Sequence, residues 1–210
     1  MTRANLQLTD YLADGQPERD DVVVLSAPLS DVLTGELDGA AAALGLTVEV
    51  LLLAALGRTI VRTIGEGVIT VDLPRQRGTA VCPVELVCAG PGEMSASDAL
   101  KAVHQSVGTL ALRRIVLDVA EHVHAQTLSD ALLVYGAQEW VAEPSRLGHA
   151  LEIRAYRRDG VLVLDWWYDA RRFEAYTVEE LAEQFSYGLV GLTSEASWPI
   201  PVAAELAMAY

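Results

Sequence analysis

The stretch "ALEIRAYRRDGVLVLDWWYDA", residues 150–170, carries the clearest structural signal in the chain. In its two halves apolar and polar side chains alternate, and the pair Asp159-Gly160 separates them. Alternation with a period of two is typical of β-strands, and Asp-Gly is favoured in the two-residue turn of a hairpin. The stretch therefore predicts two antiparallel strands joined by a tight turn.

The second of these strands ends in a cluster of large aromatic residues. Because side chains on a strand alternate between its two faces, Trp167 shares a face with Asp165, and Trp166 and Tyr168 lie on the opposite face. One of these faces is predicted to join the core, and the other can line a groove. Aromatic pairs on strands usually pack, so packing is the favoured interpretation. Trp166 and Trp167 are nevertheless candidates for ligand contact.

The rest of the chain mixes strands and helices without a strict alternation. Strands are predicted at 22–26, 68–73, 79–89 and 131–137, and helices at 30–45, 47–65, 97–110, 111–125 and 177–193. The predicted helix caps are Ser30, Thr47, Ser97 and Thr177. An antiparallel hairpin combined with several helices predicts an α+β two-layer sandwich with a mixed sheet. We predict one domain at 21–193, a polar segment at 1–20 and a tail at 194–210.

Composition excludes several classes of function. Apolar residues make up 51% of the 210 residues and charged residues 21%, which is typical of a globular domain. The net charge of -14 argues against binding to nucleic acid and to anionic membranes, both of which require a basic surface. The N-terminus lacks the apolar core of a signal peptide, and no apolar run is long enough to span a membrane. We therefore expect a cytoplasmic protein.

The usual catalytic and metal-binding patterns are missing from the sequence. Cys82 and Cys88 lie on one predicted strand, too far apart to bond to each other, and are expected to be buried free thiols. His122 and His124 have no obvious third ligand, so no metal site is predicted. His149 precedes the hairpin, but a general base needs a partner that orients it, and sequence alone does not supply that geometry. There is no Gly-x-Ser-x-Gly motif.

A small basic loop, "PRQRG" at 74–78, follows the strand at 68–73. It lacks the glycine spacing and the Lys-Ser/Thr pair of a phosphate-binding loop. A solvated turn is the favoured interpretation. On so acidic a chain, however, Arg75 and Arg77 are also candidate binding residues, because an acidic partner would need a local basic patch.

Three stretches taken together resemble one protein family, the condensation and epimerization domains of nonribosomal peptide synthetases. "TVEVLLLAALGRTIVRTIGEGVITVDLPRQRG" at 47–78 is similar to a helix and strand in the second half of those domains. "ALLVYGAQ" at 131–138 resembles a Phe-Asn-Tyr-Leu-Gly-Gln-type strand. "LEIRAYRRDGVLVLDWWYDARRFEAYTVEELAEQF" at 151–185 resembles the closing hairpin and helix. The resemblance covers about residues 20–193 and implies one lobe, the C-terminal one, of a chloramphenicol acetyltransferase-like fold.

The resemblance also shows what this chain lacks. The family carries its catalytic motif, His-His-x-x-x-Asp-Gly, on the first lobe, and the present sequence has no His-His pair. In epimerization-type members the strand ends in Glu-Gly-His-Gly-Arg, whose glutamate takes part in proton transfer. Pro74 and Gln76 fall where that glutamate and histidine would be. The resemblance therefore implies the frame of a site without its catalytic group.

Three interpretations of function remain open, and the sequence does not decide whether the chain is itself an enzyme. In the first, a half-condensation-domain-like protein of nonribosomal peptide or polyketide biosynthesis pairs with a first-lobe partner, with itself as a homodimer, or with a carrier protein. No cofactor is expected beyond a phosphopantetheine-bound substrate on that carrier. In the second, the chain is a stand-alone cyclase or isomerase that uses the groove between lobes. In the third, it is an excised lobe of a larger synthetase. The candidate catalytic residues are His104, Tyr135, Asp165, Tyr168 and Arg171.

Overall fold

Six strands form one mixed sheet in the computed structural model, which describes residues 3–74, 81–117, 129–136 and 148–196. The strands are β1 (Val22–Pro28), β2 (Gly67–Pro74), β3 (Val81–Cys88), β4 (Ala131–Gly136), β5 (Leu151–Arg158) and β6 (Val161–Asp169). The helices are α1 (Asp31–Leu44), α2 (Val48–Thr63), α3 (Ala96–Leu117) and α4 (Ala175–Glu195).

The order of strands across the sheet is β1-β6-β5-β4-β2-β3. The central strand β4 pairs in parallel with both β2 and β5, whereas the pairs β2–β3, β5–β6 and β1–β6 are antiparallel. Parallel neighbours need a long connection, and antiparallel neighbours can be joined by a short turn. The arrangement confirms the predicted α+β class with a mixed sheet.

The predicted hairpin is present as β5 and β6. Asp159 and Gly160 both adopt positive φ angles, 52° and 85°, as the favoured two-residue turn requires. In the resulting register Ile153 lies opposite Trp166, and Arg154 lies opposite Asp165. The turn therefore fixes which side chains of the two strands share a face.

All four helices form one layer against one face of the sheet, and the hydrophobic core lies between the two layers. Alternate residues of the strands enter this core, with Trp166 fully buried and packed edge-on against Phe185 of α4 at a ring distance of 5.7 Å. Helix α2 lies at the centre of the layer and contacts α1, α3 and α4. Its eleven consecutive buried residues, from Val50 to Ile60, explain why its sequence is apolar nearly all round.

Two of the predicted helix caps are confirmed. The Ser30 and Thr47 side chains accept hydrogen bonds from the backbone N–H groups of Leu33 and Val50. The cap predicted at Ser97 is wrong, because α3 begins at Ala96 and the Ser95 hydroxyl accepts from the Asp98 N–H group at 3.1 Å.

Three further predictions of element bounds are corrected. The predicted helix break at residue 111 is absent, since α3 runs on to Leu117. Helix α4 begins at Ala175, two residues before the predicted cap Thr177. Strand β1 extends to Pro28, two residues beyond the predicted 22–26, and it lies at the sheet edge, where Val23 and Val24 are exposed. Cys82 and Cys88 are buried free thiols, as predicted.

The polar N-terminal segment packs against the domain. Ala4 and Leu6 exchange backbone hydrogen bonds with Val68 of β2, and Leu8 is buried in the core. Asp10 and Tyr11 donate their backbone N–H groups to the carbonyl of Arg172, just after β6. The segment therefore joins two distant parts of the fold.

A buried arginine on α2 holds the connection between β3 and α3. The Arg58 guanidinium donates to the backbone carbonyls of Ala89 and Met94. Burial lowers the pKa of this guanidinium below its ordinary value. Carbonyl acceptors thus satisfy its donors inside the fold, as a buried cation requires.

No single helix within the described ranges is long and apolar enough to cross a membrane, and α1 with α2 reaches that length only as a pair bent by 113°.

The contact between α2 and α4 yields a test of the fold. A Cβ atom on Gly188 would lie 3.0 Å from the Ala55 carbonyl oxygen, whereas a Cβ atom on Gly191 of the same helix would meet nothing within 4 Å. We expect Gly188→Ala to lower the free energy of unfolding by about 1–3 kcal/mol, because the helices must separate. Gly191→Ala should instead raise it by about 0.5–1 kcal/mol, because alanine favours the helix. Urea unfolding followed by circular dichroism measures both, and stabilisation by Gly188→Ala would contradict the packing.

Candidate functional site

The face of the sheet that points away from the helices, here called the second face, carries a row of polar and aromatic side chains. Because side chains on a strand alternate between its two faces, each of these residues is next in sequence to residues that enter the core. The row consists of Asp72 of β2, Glu152, Arg154 and Tyr156 of β5, and Asp165 and Trp167 of β6. Asp72, Glu152, Arg154 and Tyr156 are buried. Because burying polar groups costs free energy unless they are paired, their contacts define the site.

An arginine lies at the middle of the second face. The Arg154 guanidinium donates to the Glu152 carboxylate at 2.8 Å, and the two side chains are only 6% and 5% exposed. The same guanidinium lies over the ring of Trp167, 5.2 Å from its centroid. The carboxylate neutralises the buried charge, and the indole face attracts the cation. The three side chains therefore form one charged and aromatic unit across β5 and β6.

Asp165 links three strands at the far end of the second face. Its carboxylate accepts hydrogen bonds from the Ser26 hydroxyl at 2.6 Å and from the Tyr156 hydroxyl at 2.9 Å. Arg158 donates to the same Tyr156 hydroxyl at 2.9 Å. The Asp165 carboxylate thus has fixed partners on β1 and β5, which orient it within the sheet.

A buried aspartate–histidine pair lies at the other end of the second face. Nε2 of His149 is 2.9 Å from the Asp72 carboxylate, and the side chains are 0% and 3% exposed. The backbone N–H of Ser129 donates to the same carboxylate at 3.0 Å. Burial raises the pKa of Asp72, but the hydrogen bonds from His149 and Ser129 outweigh it and hold that pKa below its ordinary value. The carboxylate is therefore ionised at neutral pH.

Sheet topology brings this pair together from residues 77 positions apart. Asp72 lies on β2 and His149 immediately precedes β5, and both strands flank β4. Gly148, with φ of 84°, provides the turn into His149, and it packs against Gln16 of the N-terminal segment. The histidine thus has the carboxylate partner that a general base needs. Sequence reasoning named this requirement but could not find the partner.

The five residues predicted as catalytic do not form a single cluster. Asp165 lies on the second face, whereas Tyr168 lies on the helix side, where burial raises its pKa. Tyr135 of β4 packs against the core, and His104 lies partly exposed on α3. Arg171 follows β6 in a turn.

The side chain of Arg171 has two carboxylate partners. It donates from Nη2 to Asp169 at 2.8 Å, and its Nε lies 3.3 Å from Asp21. The hydrogen bond to Asp169 raises the pKa of Arg171. These contacts tie the turn after β6 to the segment before β1, so they give this arginine a structural role.

The predicted binding residues have different environments. Trp166 is fully enclosed in the core, which gives it a packing role, and Trp167 lies half-buried on the second face, as the alternation predicted. Arg75 and Arg77 lie outside the described residues, as do His122 and His124.

Thiol and metal chemistry find no support in the described part of the chain. Burial raises the pKa of the Cys88 thiol to about 12, so it is not a nucleophile at neutral pH. No group of three or more histidine, cysteine or acidic side chains lies close enough to hold a metal ion within the described ranges.

Solved structures of known proteins share this fold. The epimerization domain from the third module of tyrocidine synthetase B matches with a TM-score of 0.67 at 18% identity, over 92% of this chain and 52% of that one. The condensation domain of the Monacolin K polyketide synthase matches with a TM-score of 0.68 at 14% identity, over 95% and 54%. The fold is that of one lobe of a condensation or epimerization domain. The resemblance seen in the sequence and the predicted chloramphenicol acetyltransferase-like fold are confirmed.

Sequence comparison gives a relative in a polyketide synthase. The chain is 35% identical, over 93% of its length, to part of one component of the phenolphthiocerol/phthiocerol polyketide synthase of Mycobacterium tuberculosis. It spans 16% of that protein, and about half of each condensation or epimerization domain above. No family model matches. The chain thus shares the fold of one lobe of these domains and is similar in sequence to part of a polyketide synthase component.

The buried aspartate gives a test of the second face. Asp72→Asn should lower the free energy of unfolding by about 1–3 kcal/mol at neutral pH, because the amide replaces a paired, buried carboxylate. Asp38→Asn is the control, because Asp38 forms an exposed ion pair with Arg157 and such pairs contribute only about 0–1 kcal/mol. Urea unfolding measures both changes.

The pH dependence of the same variant has a defined sign. A folded pKa below the ordinary aspartate value of 3.8 stabilises the fold above that pH, and the contribution is lost as pH falls through the folded pKa. The difference between wild type and Asp72→Asn should therefore shrink below about pH 4. A difference that stays constant down to the acid transition would show that the Asp72 carboxylate does not stabilise the fold through its charge.

Proposed function

We propose that this lobe is the second half of a condensation-type domain in nonribosomal peptide or polyketide assembly and works by pairing with a first lobe. One observation carries the proposal: nearly all of this chain matches about half of each condensation or epimerization domain with which it shares a fold. In such a domain each lobe contacts the other, so a single lobe carries a surface that fits a partner lobe. The first lobe would be encoded in the same polypeptide or in another.

The chemistry of such a pair would reside in the first lobe. The sequence of this chain has no His-His-x-x-x-Asp-Gly motif, and Pro74 ends β2 where epimerization-type members carry their glutamate. A proline side chain has no group that can transfer a proton. We therefore propose that this lobe provides one wall of the substrate channel, and that the proton transfer of the paired domain's own reaction is carried out by its partner.

The substrate would arrive on a carrier protein as a phosphopantetheine thioester. Arg75 and Arg77 are the proposed carrier contacts, since a local basic patch attracts an acidic partner that the net charge of -14 would otherwise repel. Trp167, half-buried beneath Arg154, is proposed as a contact for the apolar part of a bound chain. We place this assembly in the cytoplasm.

Light scattering on the purified chain tests the pairing. The chain is measured alone and after co-expression, as a separate polypeptide, with the first-lobe sequence encoded beside it in the same or a neighbouring reading frame. We expect a stable 1:1 complex whose mass is the sum of the two lobes. A chain that stays monomeric beside that first lobe, or that forms only a homodimer, would contradict the proposal.

A further inference from the structure

A small cavity lies where the N-terminal segment meets the second face. Its volume is about 20 Å³, which is enough for one water molecule. Its lining includes His149, Glu152, Trp167 and Asp169, together with residues of the N-terminal segment and of β1. The cavity thus adjoins the buried aspartate–histidine pair.

Two nitrogen atoms of this lining have no hydrogen-bond partner. They are Nδ1 of His149 and Nε1 of Trp167, and both are buried. Leaving a buried polar atom unpaired costs free energy, because the atom has lost its hydrogen bonds to water. Nε2 of His149 is held by Asp72, so Nδ1 is the ring nitrogen that has no partner. Both unpaired nitrogens therefore belong to residues that line the same cavity.

The two nitrogens are chemically complementary. An ionised Asp72 carboxylate can only accept, so Nε2 of His149 carries a proton, and in the neutral ring Nδ1 is then an acceptor. Nε1 of Trp167 is always a donor. One donor and one acceptor match a hydroxyl group, which accepts from the indole and donates to the imidazole.

The rest of the lining disfavours an anion. Glu152 and Asp169 line the same cavity, and their carboxylates would repel a negative charge. A cation could use the Nδ1 acceptor but would leave the indole N–H group of Trp167 unpaired, whereas a neutral hydroxyl satisfies both nitrogens.

We propose that this cavity binds one hydroxyl group, that of a water molecule in the purified chain, between Nε1 of Trp167 and Nδ1 of His149. The bound hydroxyl donates a hydrogen bond to Nδ1 of His149, and the other ring nitrogen, Nε2, is hydrogen-bonded to the Asp72 carboxylate. This is the arrangement by which a histidine accepts a proton from a hydroxyl. Among the described histidines, His149 has such a carboxylate partner and His104 has none. The site does not depend on the first lobe, so it goes beyond the proposed function.

A high-resolution crystal structure of the purified chain tests this proposal directly. The expected result is one water oxygen within about 3.2 Å of both nitrogens. In solution, a nuclear Overhauser effect should connect water to the indole N–H proton of Trp167. A dry cavity, or a protein partner on either nitrogen, would overturn the proposal.

A variant tests the shared occupant through a second measurement. Trp167→Phe removes the donor and keeps an aromatic ring on the same strand. In ¹⁵N-labelled chain at a pH where His149 is neutral, we expect the Nδ1 resonance of His149 to move toward that of a ring nitrogen without a hydrogen bond. The ring nitrogens of His104, on α3, are the internal control and should not move. An unchanged Nδ1 resonance would show that Trp167 and His149 do not share a hydroxyl.

Discussion

Burying a polar group in a sheet costs free energy unless a partner satisfies it, and the Asp72–His149 pair is the most deeply buried acid–base pair among the described residues. Both side chains are almost fully buried, and their backbones come from opposite sides of β4. The carboxylate also receives the Ser129 N–H group at the start of β4. These contacts therefore hold β2 and the residues that precede β4 and β5 together at one end of the second face.

The two faces of the sheet differ because they meet different surroundings. Toward the helices, alternate residues of all six strands contribute to one apolar core in which shape decides the packing, as with Trp166 against Phe185. On the second face, Arg154 and Asp165 are fixed by paired charges and hydrogen bonds. Hydrogen bonds and ion pairs are directional, so they fix side-chain positions more precisely than apolar packing does. A site for a ligand or a partner requires this precision. The helix side of the sheet thus carries the apolar core, and the proposed contact residue Trp167 lies on the second face.

Sequence predicted what depends on local pattern. The Asp159-Gly160 turn, the alternation that separates Trp166 from Trp167, and the caps at Ser30 and Thr47 all follow from residues a few positions apart. The wrong predictions arose where two nearby residues could serve the same role, as Ser95 and Ser97 could both cap the start of α3. The pair of Asp72 and His149 joins residues 77 positions apart, so no local pattern contains it. Of the candidate site, sequence placed Asp165 and Trp167 on one face of β6 but could not supply their partners.

A double-mutant cycle between Asp72 and His149 tests most directly whether this pair acts as one unit. Asp72→Asn, His149→Gln and the double variant are unfolded in urea at neutral pH, and the coupling free energy is taken from the four stabilities. If the pair organises the second face, the coupling is about 1–3 kcal/mol, because each side chain has lost its buried partner in either single variant. A coupling within about 0.3 kcal/mol of zero would mean that the two side chains contribute independently, and it would contradict the account.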